Sequence, residues 1–345
     1  MSLIDEIHEQ PAAMRRLLEL GAPVFERIGE LVRRHPPKFV VIAARGSSDH
    51  AALYAQYLLA VRNGLAAALA TPSTITLYGA RPRMVDALVL GISQSGQSAD
   101  IVAVLDEARR QGALTIAITN DGSSPLAQAA AEVVELHAGP ELATAATKTY
   151  TAQLLAAALL SLALTPASKQ ERRDLAAVPD QMEAALGASA AASTIAAGHS
   201  QLTRAVVLGR GYDYATAREW ALKLQELAHV LAQPYSAADF EHGPLALIEP
   251  DFSVLAVAPA GLLSDVQSAL LRRLHESHGA RLLLISHEGE GLGPDEQLPM
   301  PAGVAGWLSP LVSIIPGQLY AYHLTRVKGL DTEQPRSISK VTSTI

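Results

Sequence analysis

Short, continuous apolar runs alternate with amphipathic stretches through most of this chain, and the same succession occurs twice. Residues 39–44 form an apolar, β-branched run that leads into Arg45-Gly46-Ser47-Ser48 and then a helical pattern. Residues 205–209 repeat the run and lead into Arg210-Gly211 and a second helical pattern. Gly46 and Gly211 lie 165 positions apart, and the run 86–92 returns as 251–257 at the same spacing. A third pair, 114–119 and 281–286, matches at a slightly larger spacing. A period of this length marks a duplicated domain rather than a solenoid. Apolar runs of strand length, alternating with helices such as 99–111 and 265–278, predict parallel βαβ units. The expected fold class is α/β, each half a parallel sheet with helices on both faces. Right-handed crossovers put the C-terminal strand ends on one edge, where open sheets of this kind bind ligands.

Residues before Pro36 read as a pair of amphipathic helices, with Met14, Leu17, Leu18 and Leu20 on an apolar face. An Ala-rich helical stretch, 153–197, joins the halves, with Pro166 and Pro179 expected to break it. The predicted layout is N-terminal helices over 1–30, a first domain over 31–165, a helical connection over 166–198, a second domain over 199–330 and a tail over 331–345.

Composition narrows the function. Hydrophobic residues make up 49% of the chain and aromatic ones 4%, which suits helices packed on buried parallel strands. The formal charge of −7 offers no broad basic field, so neither nucleic acid nor an anionic membrane is an expected partner. The one basic cluster, Arg33, Arg34 and Lys38 around His35, reads as solvated. An anionic substrate must then be held by local donors. Cysteine is absent, which excludes disulfides, thiolate metal sites and cysteine nucleophiles. His275 and His278 share a helix face without a carboxylate cluster, so no metal site is expected there. The first ten residues are acidic and lack an apolar signal core, and the longest apolar runs are too short to span a bilayer. The expectation is a cytoplasmic protein.

The segment Ser93-Gln94-Ser95-Gly96-Gln97-Ser98 lies between a predicted strand and a predicted helix. Hydroxyls and the free N–H groups of a helix start can enclose a phosphate dianion without a lysine. The segment is neither a dinucleotide fingerprint nor a P-loop, which favours a small phosphorylated metabolite over a nucleotide. The plainer alternative is helix capping by Ser98. Ser47 and Ser48 would sit on the same sheet edge. The matching loop of the second half, Ala258-Pro259-Ala260-Gly261, has no hydroxyl, so the second copy is read as having lost phosphate binding.

A helix predicted over 215–231 puts Trp220, Leu224, Leu227 and Leu231 on one face and Glu219, Lys223 and Glu226 on a stripe beside it. At these spacings Lys223 reaches both carboxylates. The stripe is either a surface ion-pair ladder or a tuned proton-transfer group. His242, between Glu241 and Gly243-Pro244, adds a side chain that can serve as acid or base on a constrained loop. A Glu base, a Lys partner and a His acid/base suit proton transfer beside a carbonyl.

The segments SQSGQSAD (93–100), ATKTYTAQ (146–153), LGRG (208–211), EWALKLQELAHVLAQPYSAADFEHGPLALIE (219–249) and KGLDTEQPRSISKVTSTI (328–345) carry a family likeness. The chain resembles the sugar isomerase (SIS) family. In particular it is similar to the isomerase half of glucosamine-6-phosphate synthase and to stand-alone SIS-type glucosamine-6-phosphate deaminases. The resemblance implies two tandem SIS domains, each a flavodoxin-like three-layer unit. It implies that Ser93, Gln94, Ser95 and Ser98 hold the phosphate, with Ser47 and Ser48 lining the sugar. Glu226 would move a proton between C1 and C2, supported by Lys223 and Glu219. His242 would assist ring opening from the neighbouring subunit of a homodimer with shared sites. Lys340, on a tail that closes over the site, would contact the open-chain sugar, with Arg336 anchoring the tail. No cofactor is implied. Trp220 and Gln225 stand where the synthase has a small residue and a lysine, and its glutaminase cysteine is missing. The expected reaction is conversion of glucosamine 6-phosphate to fructose 6-phosphate and ammonia. Deglycation of 6-phosphorylated fructosamines, deamination of a galactosamine phosphate and sugar-phosphate sensing remain as alternatives.

Overall fold

The computed structural model describes residues 2–261, 263–287 and 293–340. In chain order these form α1 (Leu3–Leu20), α2 (Ala22–Arg34), β1 (Phe39–Ala43), α3 (Ser47–Asn63), β2 (Ala67–Leu69), α4 (Ser73–Thr76), β3 (Ala87–Ile92), α5 (Ala99–Arg110), β4 (Leu114–Thr119), α6 (Pro125–Ala129), β5 (Glu132–Glu135) and α7 (Lys148–Leu164). The second succession is α8 (Lys169–Ala185), α9 (Ser189–Gly198), β6 (Arg204–Gly209), α10 (Asp213–Glu226), β7 (Leu231–Ser236), α11 (Ala237–Phe240), β8 (Ser253–Val257), α12 (Ser264–His278), β9 (Arg281–Ser286), β10 (Glu296–Pro299) and α13 (Ser309–Val327). Two compact units result. The first holds Ala12–Glu141, Ala146–Arg173 and the chain from Ser339; the second holds the chain up to Pro11, Leu142–Ala145 and Asp174–Ile338.

Each unit contains a five-stranded, wholly parallel sheet, in the order β2-β1-β3-β4-β5 and, for the second, β7-β6-β8-β9-β10. Numbered within its own unit, each reads 2-1-3-4-5, the flavodoxin order. The central strands are buried on both faces, which is why β3 and β9 read as continuous apolar runs. In the first unit α3 packs on α7 over one face of the sheet. On the other face, Ile101, Val104 and Leu105 of α5 meet Val89 and Ala117 of the strands. In the second unit α10 and α13 pack together on one face. Leu270, Leu271 and Leu274 of α12 close the other against Val206, Val254 and Leu282. The duplication reaches backbone conformation. Asp86 and Asp251 precede corresponding strands and adopt left-handed φ values of 67° and 65°, a region Asp tolerates.

Three expectations change. The helix read over 215–231 runs from Asp213 to Glu226 instead. His229, at φ 52°, occupies the left-handed position that Gly64 takes after α3, and the chain reverses there. Leu231 therefore opens β7 and is 71% exposed, off the apolar face it was assigned to. Pro179 does not break the connecting stretch; it lies inside α8. Pro166 does coincide with a helix end, because a residue preceding proline is pushed out of the helical region and Thr165 is extended. The stretch 153–197 is not one connector, since α7 belongs to the first unit and the boundary falls within α8. No described helix is long and apolar enough to cross a membrane.

Candidate active site

In the first unit, β1 and β3 are neighbours, and the chain leaves them toward opposite edges of the sheet. This is the topological switch point of the flavodoxin order, where the gap above the strand ends is open. The loop bearing Ser47 and Ser48 follows β1 and the loop 93–98 follows β3, so both flank that gap. Gly96 sits at φ 62°, and a Cβ there would lie 2.1 Å from Ser124 Oγ, so only glycine fits. The loop is pinned from the β4 side: Asn120 N–H donates to Gln94 O at 3.1 Å, and Leu126 N–H to Gly96 O at 3.1 Å.

The hydroxyls are polarised by their neighbours. Ser93 Oγ accepts the Gly96 N–H at 3.1 Å, and Ser95 Oγ accepts the Gln97 N–H at 3.3 Å. Each hydroxyl thereby uses a lone pair inward and keeps its single hydrogen for another acceptor. Ser98 is the N-cap of α5, yet its side chain makes no capping bond, so simple capping does not account for it. The positive end of the α5 dipole points into the same loop. Sequence reasoning passed over Arg45, whose Nε and Nη2 lie 2.9 and 2.8 Å from the buried Asp100 Oδ2. That pair ties the β1 loop to the first turn of α5. The Arg-Gly pair repeated at 45 and 210 was a legible pointer to it.

In the second unit, α10 carries the charged cluster. Lys223 Nζ lies 2.7 Å from Glu226 Oε2 and 3.3 Å from Glu219 Oε1. The side chains of Glu219 and Lys223 are 0% and 1% exposed, whereas that of Glu226 is 23% exposed. This is not a surface ladder. Burial opposes the charge on Lys223, but the carboxylates of Glu219 and Glu226 outweigh it and raise its pKa above the ordinary lysine value. The lysine is thus a fixed cation, and Glu226 is the member of the cluster that reaches toward solvent.

His242 is exposed, on the turn between α11 and a short 3-10 segment at Pro244–Leu247, beside Gly243 at φ 137°. Arg336 is exposed, and the tail around it is held by Glu333, whose carboxylate accepts the Leu3 N–H and whose carbonyl accepts the Thr144 hydroxyl. In the first unit Lys340 Nζ donates to Glu141 Oε2 at 2.6 Å. Glu141 is buried and also accepts the Thr147 N–H, the Thr149 N–H and the Thr149 hydroxyl, so it caps α7 as well. Glu141 was not singled out from the sequence. The structure thus gathers Glu219, Lys223 and Glu226 into one cluster and seats Lys340 on Glu141.

The SIS domain matches residues 35–163 and again 200–328. The chain is 34% identical over 367 residues to the glutamine–fructose-6-phosphate aminotransferase (isomerizing) of Gloeobacter violaceus, with 98% of this chain and 58% of that protein aligned. It therefore spans less than two thirds of such relatives' length. Among solved structures, it resembles a protein of Silicibacter pomeroyi assigned as a phosphosugar isomerase, with a TM-score of 0.84, 32% identity and coverage of 99% and 100% of the two chains. It also resembles the C-terminal domain of glucosamine-fructose-6-phosphate aminotransferase from Francisella tularensis, with a TM-score of 0.86, 28% identity and coverage of 96% and 98%. On the domain matched in both halves and the kinship along nearly its whole length, this chain belongs to the SIS family and carries the SIS domain twice.

Proposed function

We propose that this protein is an amino-sugar phosphate isomerase that releases ammonia, acting on glucosamine 6-phosphate. The observation that carries the reading is the buried Glu219–Lys223–Glu226 cluster, with only Glu226 partly open to solvent. A base for proton transfer between adjacent carbons must stay ionised and stand on a rigid element. The Lys223 ammonium stands 2.7 Å from the Glu226 carboxylate, and α10, packed on β6 and α13, is such an element. The donor-biased hydroxyls of Ser93 and Ser95, with Ser98, Gln94, Ser47 and Ser48, supply the phosphate and sugar contacts in this reading. The names of the relatives, isomerising aminotransferases and a phosphosugar isomerase, agree with a phosphosugar substrate.

The chemistry balances without a redox step. In the open-chain aldose, Glu226 takes the C2 proton, and the electrons form a C1–C2 enolamine. Return of the proton to C1 gives the C2 imine. Water adds to that imine, and the C–N bond breaks to leave fructose 6-phosphate and ammonia. His242 assists ring opening, supplied by the second subunit of a homodimer, and Lys340 contacts the open chain once it leaves Glu141. Ammonia release across a panel of amino-sugar 6-phosphates tests the substrate; no release from glucosamine 6-phosphate rejects it. Glu226→Gln keeps the shape and removes the base. It should lower kcat by roughly 10²–10⁴-fold with sugar-phosphate binding nearly intact. Native turnover in that variant would sink the assignment.

A further inference from the structure

Gln153 lies inside α7 at 1% exposure. Its Nε2 donates to Ser48 Oγ at 3.0 Å, and its Oε1 is buried without a hydrogen-bond partner. Ser48, in the first turn of α3, is itself only 8% exposed. The opposite amide orientation would leave both N–H donors unpaired, where the present one leaves one N–H and the carbonyl oxygen, and unsatisfied N–H groups are the rarer and costlier case. Accepting from Gln153 occupies a lone pair of Ser48 and leaves its one hydrogen to point elsewhere. Backbone N–H groups bias Ser93 and Ser95 in the same way. Three hydroxyls at the switch point thus each accept one bond from the protein and keep their hydrogen free, two from the main chain and one from a side chain of another helix.

We infer that Gln153 is a positioning residue of the phosphosugar site, which orients the Ser48 hydroxyl so that its hydrogen is available to an electron-rich oxygen of the ligand. The inference rests on the sugar-phosphate reading above. It also accounts for the cost of an unpartnered carbonyl in a helix interior: the amide is kept for its N–H.

The test is calorimetric titration of fructose 6-phosphate, the product of the proposed reaction, into the full chain and into Gln153→Met, Gln153→Glu, Ser48→Ala and the Ser48→Ala/Gln153→Met double variant. Met keeps the length and loses the donor. Glu accepts the Ser48 hydrogen and so reverses the hydroxyl. The Kd should rise roughly 3- to 10-fold in Gln153→Met, the size of one neutral hydrogen bond, and further in Gln153→Glu. In the Ser48→Ala background, Gln153→Met should add nothing. Native affinity in Gln153→Met overturns the inference, as does a loss that persists in full without the Ser48 hydroxyl, which would mark Gln153 as a packing residue. Should the Met variant not fold, native affinity in Gln153→Glu overturns it equally. A native chain that binds no sugar phosphate overturns the function reading and this inference together; a native chain that binds, with Gln153 indifferent, overturns this one alone.

Discussion

Ser95 and Ser98 show how single hydroxyls divide binding from chemistry. They precede the start of α5 and would hold a phosphate remote from the reacting carbons. Each lost charge-assisted hydrogen bond costs about 1.5–3 kcal/mol. The double change to Ala should raise KM at least roughly tenfold and alter kcat far less, and steady-state kinetics with an unchanged KM would remove the loop from the site. Asp213, in the first turn of α10, is another residue whose surroundings set its chemistry. Burial pushes its carboxyl up to about 7, against hydrogen bonds from Ser313, Ser309 and Thr216. The unfolded chain releases that proton near pH 4. Between about pH 4 and about pH 7 the folded protein therefore holds a proton that the unfolded chain has lost, and stability falls as pH rises. Asp213→Asn removes this titration. Its Tm should vary less with pH over that window, and it should gain on the native protein at about pH 8 relative to about pH 5. Parallel Tm profiles would show that Asp213 does not titrate there.

At the scale of elements, the seating of α10 against α13 fixes where the charged cluster stands. Trp220, between Glu219 and Lys223 in reach along the helix, is fully buried. It meets Tyr320 edge-on at 6.0 Å between ring centroids. A Cβ at Gly317 would come within 3.0 Å of its indole ring. The bulk of Trp220 and the absence of a side chain at Gly317 therefore belong together. Gly317→Ala requires the packed indole to give by a few tenths of an ångström, and an overpacking cost of about 1–3 kcal/mol opposes the roughly 1 kcal/mol that alanine gains over glycine in a helix interior. Thermal unfolding should show a lowered Tm, and kcat should fall with it as Glu226 is displaced. A variant with native Tm and native kcat would mean that α10 and α13 absorb the methyl group without consequence. Trp220 was legible as a departure from the family's small residue; its complement, about a hundred positions later, was not.

For the whole molecule, the proposed homodimer makes a sharp prediction. Glu226→Gln and His242→Ala should each be nearly inactive as purified chains. If each site draws Glu226 from one subunit and His242 from the other, mixed dimers carry one site with both native residues. Activity should then return to roughly a quarter of native or less after subunit exchange, the mixed fraction being limited by statistics and by one competent site per dimer. Exchange is checked first with differently tagged chains. No recovery once exchange is complete would show that each site is built from a single chain. The exposed position of His242 on its turn is what leaves such a contribution open to it.

The repeat, the strands and the phosphate loop were readable because they are local. A buried parallel strand must be a continuous apolar run, and a helix start beside small hydroxyl residues announces itself within six positions. The spacing of Glu219, Lys223 and Glu226 on one stripe was equally local. That the stripe is buried was not: the same spacing serves a surface ladder, and only the packing of α10 on β6 and α13 removed Glu219 and Lys223 from water. The end of α10 was misread because Leu227 and Leu231 kept helical spacing, while the reversal depended on His229 taking a left-handed conformation and on β7 pairing with β6. The pairs Arg45–Asp100, Ser48–Gln153 and Glu141–Lys340 join residues 55, 105 and 199 positions apart. Periodicity decides which face of an element is buried; what that face meets is decided by the order of strands and the helices they bring together.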